Sequence, residues 1–157
     1  MKYYQILIFL IYLFTINQSK GIAQVQEPVK WVYSVKQLSK SEALLIFDAK
    51  IEPRWHLYSQ YFPEGGPVRL SFNFKDSKEF KKVGKITESP KPKIVHDDVF
   101  EIDVQYFEGK ASFRQKIKIL SESNFVIQGE FEYQVCFDDK CVLFNPEFEF
   151  KVPGTKN

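Results

Sequence analysis

Short spans in which apolar and polar residues alternate constrain the fold of this chain more than any other feature. Between positions 68 and 74, Val, Leu and two Phe residues alternate with Arg, Ser and Asn. Similar spans cover residues 111–120, 125–136 and 142–152, and turn signals rich in Gly, Pro and Asp separate them. A period of two is typical of β-strands with one buried face, and helical spacing is rarely sustained here. The pattern predicts an all-β chain.

Two segments depart from this simple alternation. Residues 44–49 form a nearly continuous apolar run, as expected for a strand buried on both sides. Residues 75–99 are the least regular, and we predict a long loop there, where functional residues tend to lie. With about seven to nine short strands and no strong helix, the chain is predicted to form one antiparallel immunoglobulin-like β-sandwich.

The first residues differ from the rest of the chain. Lys2 precedes an apolar run from Tyr3 to Ile16, and a short segment of small residues ends at Ala23. This layout is typical of a secretory signal peptide, and the run is shorter than the roughly 20 residues that a membrane helix needs. We therefore expect residues 1–23 to be removed, which leaves a periplasmic or otherwise extracytoplasmic domain of residues 24–157. The alternative is that the segment is retained as an anchor.

The charge balance argues against two classes of partner. Loss of residues 1–23 would remove Lys2 and Lys20, so 20 basic residues would remain against 20 acidic ones. Nucleic acids and anionic membrane surfaces are bound by a concentrated basic face, which a chain of balanced charge does not predict. We expect a monomer that binds neither.

The two cysteines of the chain are close in sequence, at Cys136 and Cys141. If Asp138 and Asp139 form the tip of a hairpin, the cysteines face each other directly across the strand pair. Opposed Cα atoms in antiparallel strands are about 4.5–5.5 Å apart, which is within the range that a disulfide accepts. Export would place the pair where disulfides form. A disulfide can therefore join the two strands of this hairpin.

Two roles are open for the pair. As a structural staple it would be weak, because closing so small a ring contributes about 2 kcal/mol, against roughly 4 kcal/mol for a bridge between distant strands. As a redox site it needs access, and strand parity places both sulfurs on the polar face, within reach of another thiol. Lys140 favours a thiolate, whereas Asp138 and Asp139 oppose one. The alternatives are a non-enzymatic immunoglobulin-like binding module and a thiol:disulfide exchange domain.

The cysteine hairpin and three earlier segments share a recognisable pattern. The hairpin reads Tyr-Gln-Val-Cys over residues 133–136, followed by Cys141. Residues 55–59 read Trp-His-Leu-Tyr-Ser, residues 96–100 read His-Asp-Asp-Val-Phe, and residues 106–110 read Tyr-Phe-Glu-Gly-Lys. In this order the segments resemble the N-terminal domain of the DsbD thiol:disulfide interchange protein family. The hairpin and the 96–100 segment are the specific parts of the likeness.

The resemblance implies a fold, a reaction and partners. The family's N-terminal domain is immunoglobulin-like and periplasmic, and its cysteine pair accepts electrons from a thioredoxin-like domain. It then reduces oxidised periplasmic thiol proteins, such as disulfide isomerases and cytochrome c maturation factors. The partners implied are a thioredoxin-like domain or a membrane DsbD-type reductase on one side and these oxidised proteins on the other. No bound cofactor is expected, because the redox-active disulfide itself carries the electrons.

The roles of individual residues follow from their positions in the family's motifs. Cys141 would be the sulfur that the partner attacks, and Cys136 would be the resolving sulfur. Phe100 would be the tip of a cap that shields the disulfide, Asp98 a carboxylate beside the pair, and Tyr58 an aromatic neighbour of it.

The chain also departs from the family pattern. Val99 stands where the loop is expected to carry a second acidic residue, and proline follows the second cysteine only at Pro146. The sequence ends at Asn157 without a membrane electron conduit or a thioredoxin-like domain. We therefore expect the reductant to be a separate protein.

A metal site is the weaker alternative for the cysteines. His56 and His96 could join them, but the histidines are far apart in sequence and the gap between the cysteines fits zinc motifs poorly. The single methionine, Met1, would be lost with the signal peptide, so a thioether copper site is not expected.

Overall fold

Residues 27–156 fold into two antiparallel β-sheets around a shared apolar core. The computed structural model describes these residues, and the predicted signal peptide at 1–23 lies outside them. The strands are β1 (Val29–Ser39), β2 (Glu42–Ile51), β3 (His56–Tyr58), β4 (Ser71–Phe74), β5 (Phe80–Ser89), β6 (Lys93–Asp97), β7 (Ile102–Phe107), β8 (Lys110–Ile119), β9 (Phe125–Phe137), β10 (Lys140–Phe144) and β11 (Glu147–Val152). Within the described residues, no helix is long and apolar enough to cross a membrane.

The topology is that of an immunoglobulin-like β-sandwich, as the alternating pattern predicts. One sheet has four strands in the order β1-β2-β8-β5. The other has seven strands and the main order β10-β9-β3-β7-β6, with β4 and β11 also paired to β9. All pairings are antiparallel. The described residues form eleven strands, so the prediction of about seven to nine was too low.

The long strand β9 organises the seven-stranded sheet. Along one edge it pairs first with β11 and then with β10, and along the other edge with β4 and then β3. Pro146 separates β10 from β11 because proline has no N–H to donate to a strand pair. Residues 59–70 leave the sheet between β3 and β4 and form a loop beside the cysteine end of β9.

The prediction of a long loop over residues 75–99 is wrong. That segment contains β5 and β6, which are joined through a cis Ser89–Pro90 peptide bond. Both strands lie at the edge of a sheet and most of their side chains are exposed. An edge strand that is mostly solvated needs no apolar face, so its sequence lacks the alternation that identifies buried strands.

The prediction that residues 44–49 are buried on both faces is also wrong. In β2 the side chains of Leu45, Phe47 and Ala49 are buried, whereas Leu44 and Ile46 are only partly buried. The four-stranded sheet therefore has one face in the core and one face towards solvent. An antiparallel sheet can remain solvated on one side even when the outer residues of a strand are apolar.

Aromatic side chains from both sheets make up much of the core. Trp31 of β1 contacts Phe131 and Tyr133 of β9, with ring centroids 4.7 and 5.3 Å apart. Phe47 of β2 reaches Phe150 of β11 at 4.9 Å. These contacts join the four-stranded sheet to β9, which carries Cys136, and to its neighbour β11, so the core fixes the base of the cysteine hairpin.

Candidate functional site

The two cysteines occupy opposite positions in the β9–β10 hairpin. Cys136 pairs with Cys141 and Phe137 with Lys140, so the two aspartates form the turn, as predicted. Asp138 adopts a φ of 50°, a left-handed conformation that aspartate tolerates better than most residues. The sulfurs form a disulfide of 2.00 Å, and the Cα atoms are 4.1 Å apart.

The two sulfurs differ in access to solvent. Cys136 is 4% exposed, whereas Cys141 is exposed. The alternation of side chains along β9 correctly predicts that Cys136 points away from the main core, since its neighbour Val135 points into that core. The prediction that another thiol could reach both sulfurs is wrong for Cys136, because a second group of apolar residues covers it.

This second group, which we call the outer cluster, lies apart from the main core. Its buried members are Tyr58, Phe62, Val104 and Cys136, and Ile102 and Tyr106 pack against them. Tyr58, predicted as an aromatic neighbour of the pair, thus shares a cluster with Cys136. Burial raises the pKa of the Tyr58 phenol, and the nearby charge of Asp97 raises it further. The phenol therefore stays neutral at physiological pH and acts as an apolar wall with a polar tip.

The turn between β6 and β7 carries the other residues that the resemblance singles out. Phe100 is 45% exposed at this turn, and Asp98 is also exposed. The carboxylate that organises the turn is Asp97, whose Oδ1 accepts hydrogen bonds from the backbone N–H groups of Val99 at 3.0 Å and Phe100 at 3.2 Å. The roles assigned to Phe100 and Asp98 remain predictions.

Sequence reasoning overlooked Asp97 because the motif alignment assigned the carboxylate role to its neighbour, Asp98. Asp97 is the last residue of β6 and its charge acts on Tyr58. A useful signal was available, since aspartate followed by a short turn often accepts backbone hydrogen bonds from the residues after it.

Each of the two histidines contacts a carboxylate. His56 lies opposite Cys136 in the sheet, stacks on Tyr106 at 4.3 Å and places Nε2 3.2 Å from Glu108. A hydrogen bond from Lys93 lowers the pKa of Glu108, and His56 adds to this effect. His96 places Nδ1 3.0 Å from Asp103. No cluster of three or more potential ligands in residues 27–156 could hold a metal ion.

Arg54 contacts the tip of the cysteine hairpin and was not predicted. Its guanidinium lies 4.2 Å above the Phe137 ring and 3.1 Å from the carboxylate of Asp138. Both charged side chains are largely exposed, at 71% and 64%, so the ion pair contributes little to stability. The two contacts place a cationic side chain beside the turn of the cysteine hairpin.

Gln134 is the second residue at the site that sequence reasoning did not assign. Its Nε2 donates a hydrogen bond to Cys136 Sγ at 3.4 Å, and its Oε1 accepts one from the Val68 N–H at 2.7 Å. The spacing of two residues along β9 was sufficient to predict that Gln134 and Cys136 share a face. The contact with Val68 could not be predicted, since it comes from the distant 59–70 loop.

Fold and site together define a class: immunoglobulin-like domains that carry a disulfide at the end of a hairpin with one exposed sulfur. Comparison with protein families identifies one family within this class. Residues 23–153 match the family described as thiol:disulfide interchange protein DsbD, N-terminal. The chain belongs to this family, which confirms the resemblance seen in the sequence. No curated protein sequence matches the chain.

Two bacterial domains are among the solved structures that match this chain. The N-terminal periplasmic domain of ScsB from Proteus mirabilis is 17% identical with a TM-score of 0.58, and the match covers 80% of this chain and 47% of that one. The N-terminal domain of DsbD from Neisseria meningitidis in its reduced form is 16% identical with a TM-score of 0.48, and the match covers 79% and 85%. The chain thus spans about half the length of the ScsB structure, and that likeness shows the fold alone.

Proposed function

We propose that this chain is a periplasmic domain that relays electrons through Cys136 and Cys141. It accepts two electrons from a thioredoxin-like dithiol and passes them to oxidised extracytoplasmic thiol proteins. Membership of the thiol:disulfide interchange family supports the reaction class. The observation that carries the proposal is the unequal burial of the two sulfurs, since it leaves one atom open to a partner and protects the other.

The reaction begins at the exposed sulfur. A thiolate of the reductant attacks Cys141 Sγ, the bond to Cys136 breaks, and the electron pair leaves with Cys136 Sγ as a thiolate. The second thiol of the reductant then attacks the mixed disulfide and releases Cys141. Two electrons have entered the pair, and solvent supplies the protons that the thiolates take up.

The second half of the cycle runs through the same atoms in reverse. The Cys141 thiolate attacks the disulfide of an oxidised acceptor, and Cys136 then resolves the mixed disulfide. The acceptor leaves as a dithiol and the 136–141 disulfide is restored. The disulfide serves as the redox group, so the proposed cycle needs no bound cofactor.

The proposed partners follow from this chemistry and from the family. The reductant is a thioredoxin-like domain or a membrane DsbD-type reductase, and the acceptors include oxidised proteins of disulfide isomerisation and cytochrome c maturation. Residues 1–23 would direct export and be cleaved, and the domain would act as a monomer.

The reduction potential of the pair distinguishes the relay from a binding module with a structural staple. We expect a potential above about −300 mV, because a relay must be reducible by its partner whereas structural disulfides lie below that value. The measurement equilibrates the protein with glutathione or dithiothreitol buffers and quantifies the free thiols. A potential well below −300 mV would identify a structural bond and rule out the relay.

The cap predicted at Phe100 can be tested by oxidation rates. If Phe100 shields the reduced pair, Phe100→Ala should speed oxidation of the dithiol by hydrogen peroxide while the protein stays folded. Val99→Ala is the matched control, since Val99 lies on the same turn and is 85% exposed. Equal oxidation rates for both variants and the unsubstituted protein would show that Phe100 is not a cap.

A further inference from the structure

The amide group of Gln134 has a fixed orientation beside the buried sulfur. Val68 N–H donates to its Oε1 at 2.7 Å, so the oxygen must face the 59–70 loop. The Nε2 group then faces Cys136 Sγ at 3.4 Å. The opposite orientation would set two donors against each other at Val68 and a carbonyl oxygen against the sulfur. The structure thus aims an N–H at one particular sulfur of the pair.

That sulfur is the one that becomes charged during the proposed reaction. When a thiolate attacks Cys141, Cys136 departs as an anion within the outer cluster, where it is 4% exposed. Burial among apolar side chains disfavours a thiolate, and a disulfide opens faster when the leaving thiolate is more stable. A hydrogen bond to a charged group is also stronger than one to a neutral group. The Gln134 contact therefore strengthens as the S–S bond breaks.

From this geometry we infer that Gln134 is a catalytic residue, which donates a hydrogen bond to the Cys136 thiolate released when the disulfide opens. Val68 is a positioning residue, because its N–H holds the amide in the productive orientation. The inference rests on the proposed exchange function and adds to it a group that stabilises the leaving sulfur.

The 59–70 loop that supplies Val68 is itself tied to the four-stranded sheet. Glu88 of β5 accepts a hydrogen bond from Ser59 Oγ at 2.6 Å and another from the Gln60 N–H at 2.9 Å. Tyr61 donates its hydroxyl hydrogen to the carbonyl of Ile86 at 2.5 Å. The loop is therefore anchored at its start.

Substitutions at position 134 test the hydrogen-bond donor and the hydrogen-bond acceptor of the Gln134 amide separately. Gln134→Glu keeps an oxygen for the Val68 N–H but removes the donor to Cys136, and Gln134→Leu removes both. We expect dithiothreitol to reduce each variant about tenfold more slowly than the unsubstituted protein. All rates are measured at high salt, because salt screens the charge that Gln134→Glu adds. Stopped-flow tryptophan fluorescence or quenched thiol counting gives the rate. Dithiothreitol has no docking surface, so changes in partner binding do not enter.

A matched variant isolates the effect of charge. Leu143 lies opposite Gln134 in the β9–β10 pair and is exposed, so Leu143→Glu adds the same negative charge nearby without removing the donor. We expect its rate to stay within about twofold of the unsubstituted rate, because exposed charges are screened. If Leu143→Glu is slowed as much as Gln134→Glu and Gln134→Leu is not slowed, charge alone explains the result and the inference is wrong.

A second readout separates thiolate stabilisation from a loss of folding. In a Cys141→Ser background Cys136 is the single thiol, and its pKa can be followed by the ultraviolet absorbance of the thiolate. Gln134→Leu should raise that pKa by about one unit relative to Cys141→Ser alone. An unchanged pKa together with an unchanged dithiothreitol rate would overturn the role of Gln134. Failure of the relay itself would give a different result, because the unsubstituted pair would then have the reduction potential of a structural disulfide while the effect of Gln134 on rate and pKa persisted.

Discussion

Cys136→Ser should form a mixed disulfide with a thioredoxin-like protein through Cys141, whereas Cys141→Ser should form essentially none. The reason is access: the remaining sulfur is exposed in the first variant and 4% exposed in the second. Each variant is first treated with an aromatic disulfide and then mixed with a thioredoxin that retains only its attacking cysteine. Non-reducing electrophoresis and peptide mass spectrometry measure the complex and identify the linked residue. We expect at least about tenfold more complex with Cys136→Ser.

The two cysteine variants control for each other. Both lose the same 136–141 ring, so any loss of stability from the missing disulfide is matched. Both also keep one sulfur in the same hairpin. A complex that forms only through Cys136 would show that the roles of attacked and resolving sulfur are reversed.

Phe47→Ala should destabilise the domain more than any change at the site. Phe47 is 0% exposed, and its ring centroid lies 4.5 Å from that of Phe72 and 5.0 Å from that of Phe148. Removing a buried Phe side chain leaves a cavity between the sheets and costs about 3–5 kcal/mol. We expect the melting temperature to fall by about 10 °C or more, as measured by circular dichroism with the disulfide intact.

The same substitution at an exposed position provides the control. Phe100→Ala removes an identical side chain from the β6–β7 turn, where the ring is 45% exposed. Because about half of the ring is still in solvent, the free energy of unfolding should fall by only about 1 kcal/mol. A loss at Phe100 as large as that at Phe47 would mean that the turn is packed far more tightly than its exposure indicates.

The strands of the core could be predicted from the sequence because each buries one face. The alternation of residues 125–136 and 142–152 follows directly from which side chains enter the core, and it identifies β9, β10 and β11. The edge strands β5 and β6 could not be identified in this way. Their hydrogen bonds come from β8 and β7, and few of their side chains are buried. Pairing through backbone hydrogen bonds alone leaves no periodic pattern in the side chains of the paired segment.

The candidate site likewise has one part that the sequence predicts and another that it does not. The sequence by itself determined that Cys136 and Cys141 face each other across a hairpin and that Gln134 shares their face, because these relations depend only on local strand geometry. Only the tertiary structure decided that Cys136 is buried and that the Gln134 amide points its N–H at the sulfur. Both depend on residues 59–70 and on β7, which reach the hairpin through the folded sheet. Contacts between segments so far apart in the chain exist only after the sheets have assembled, and they make the two sulfurs chemically unequal.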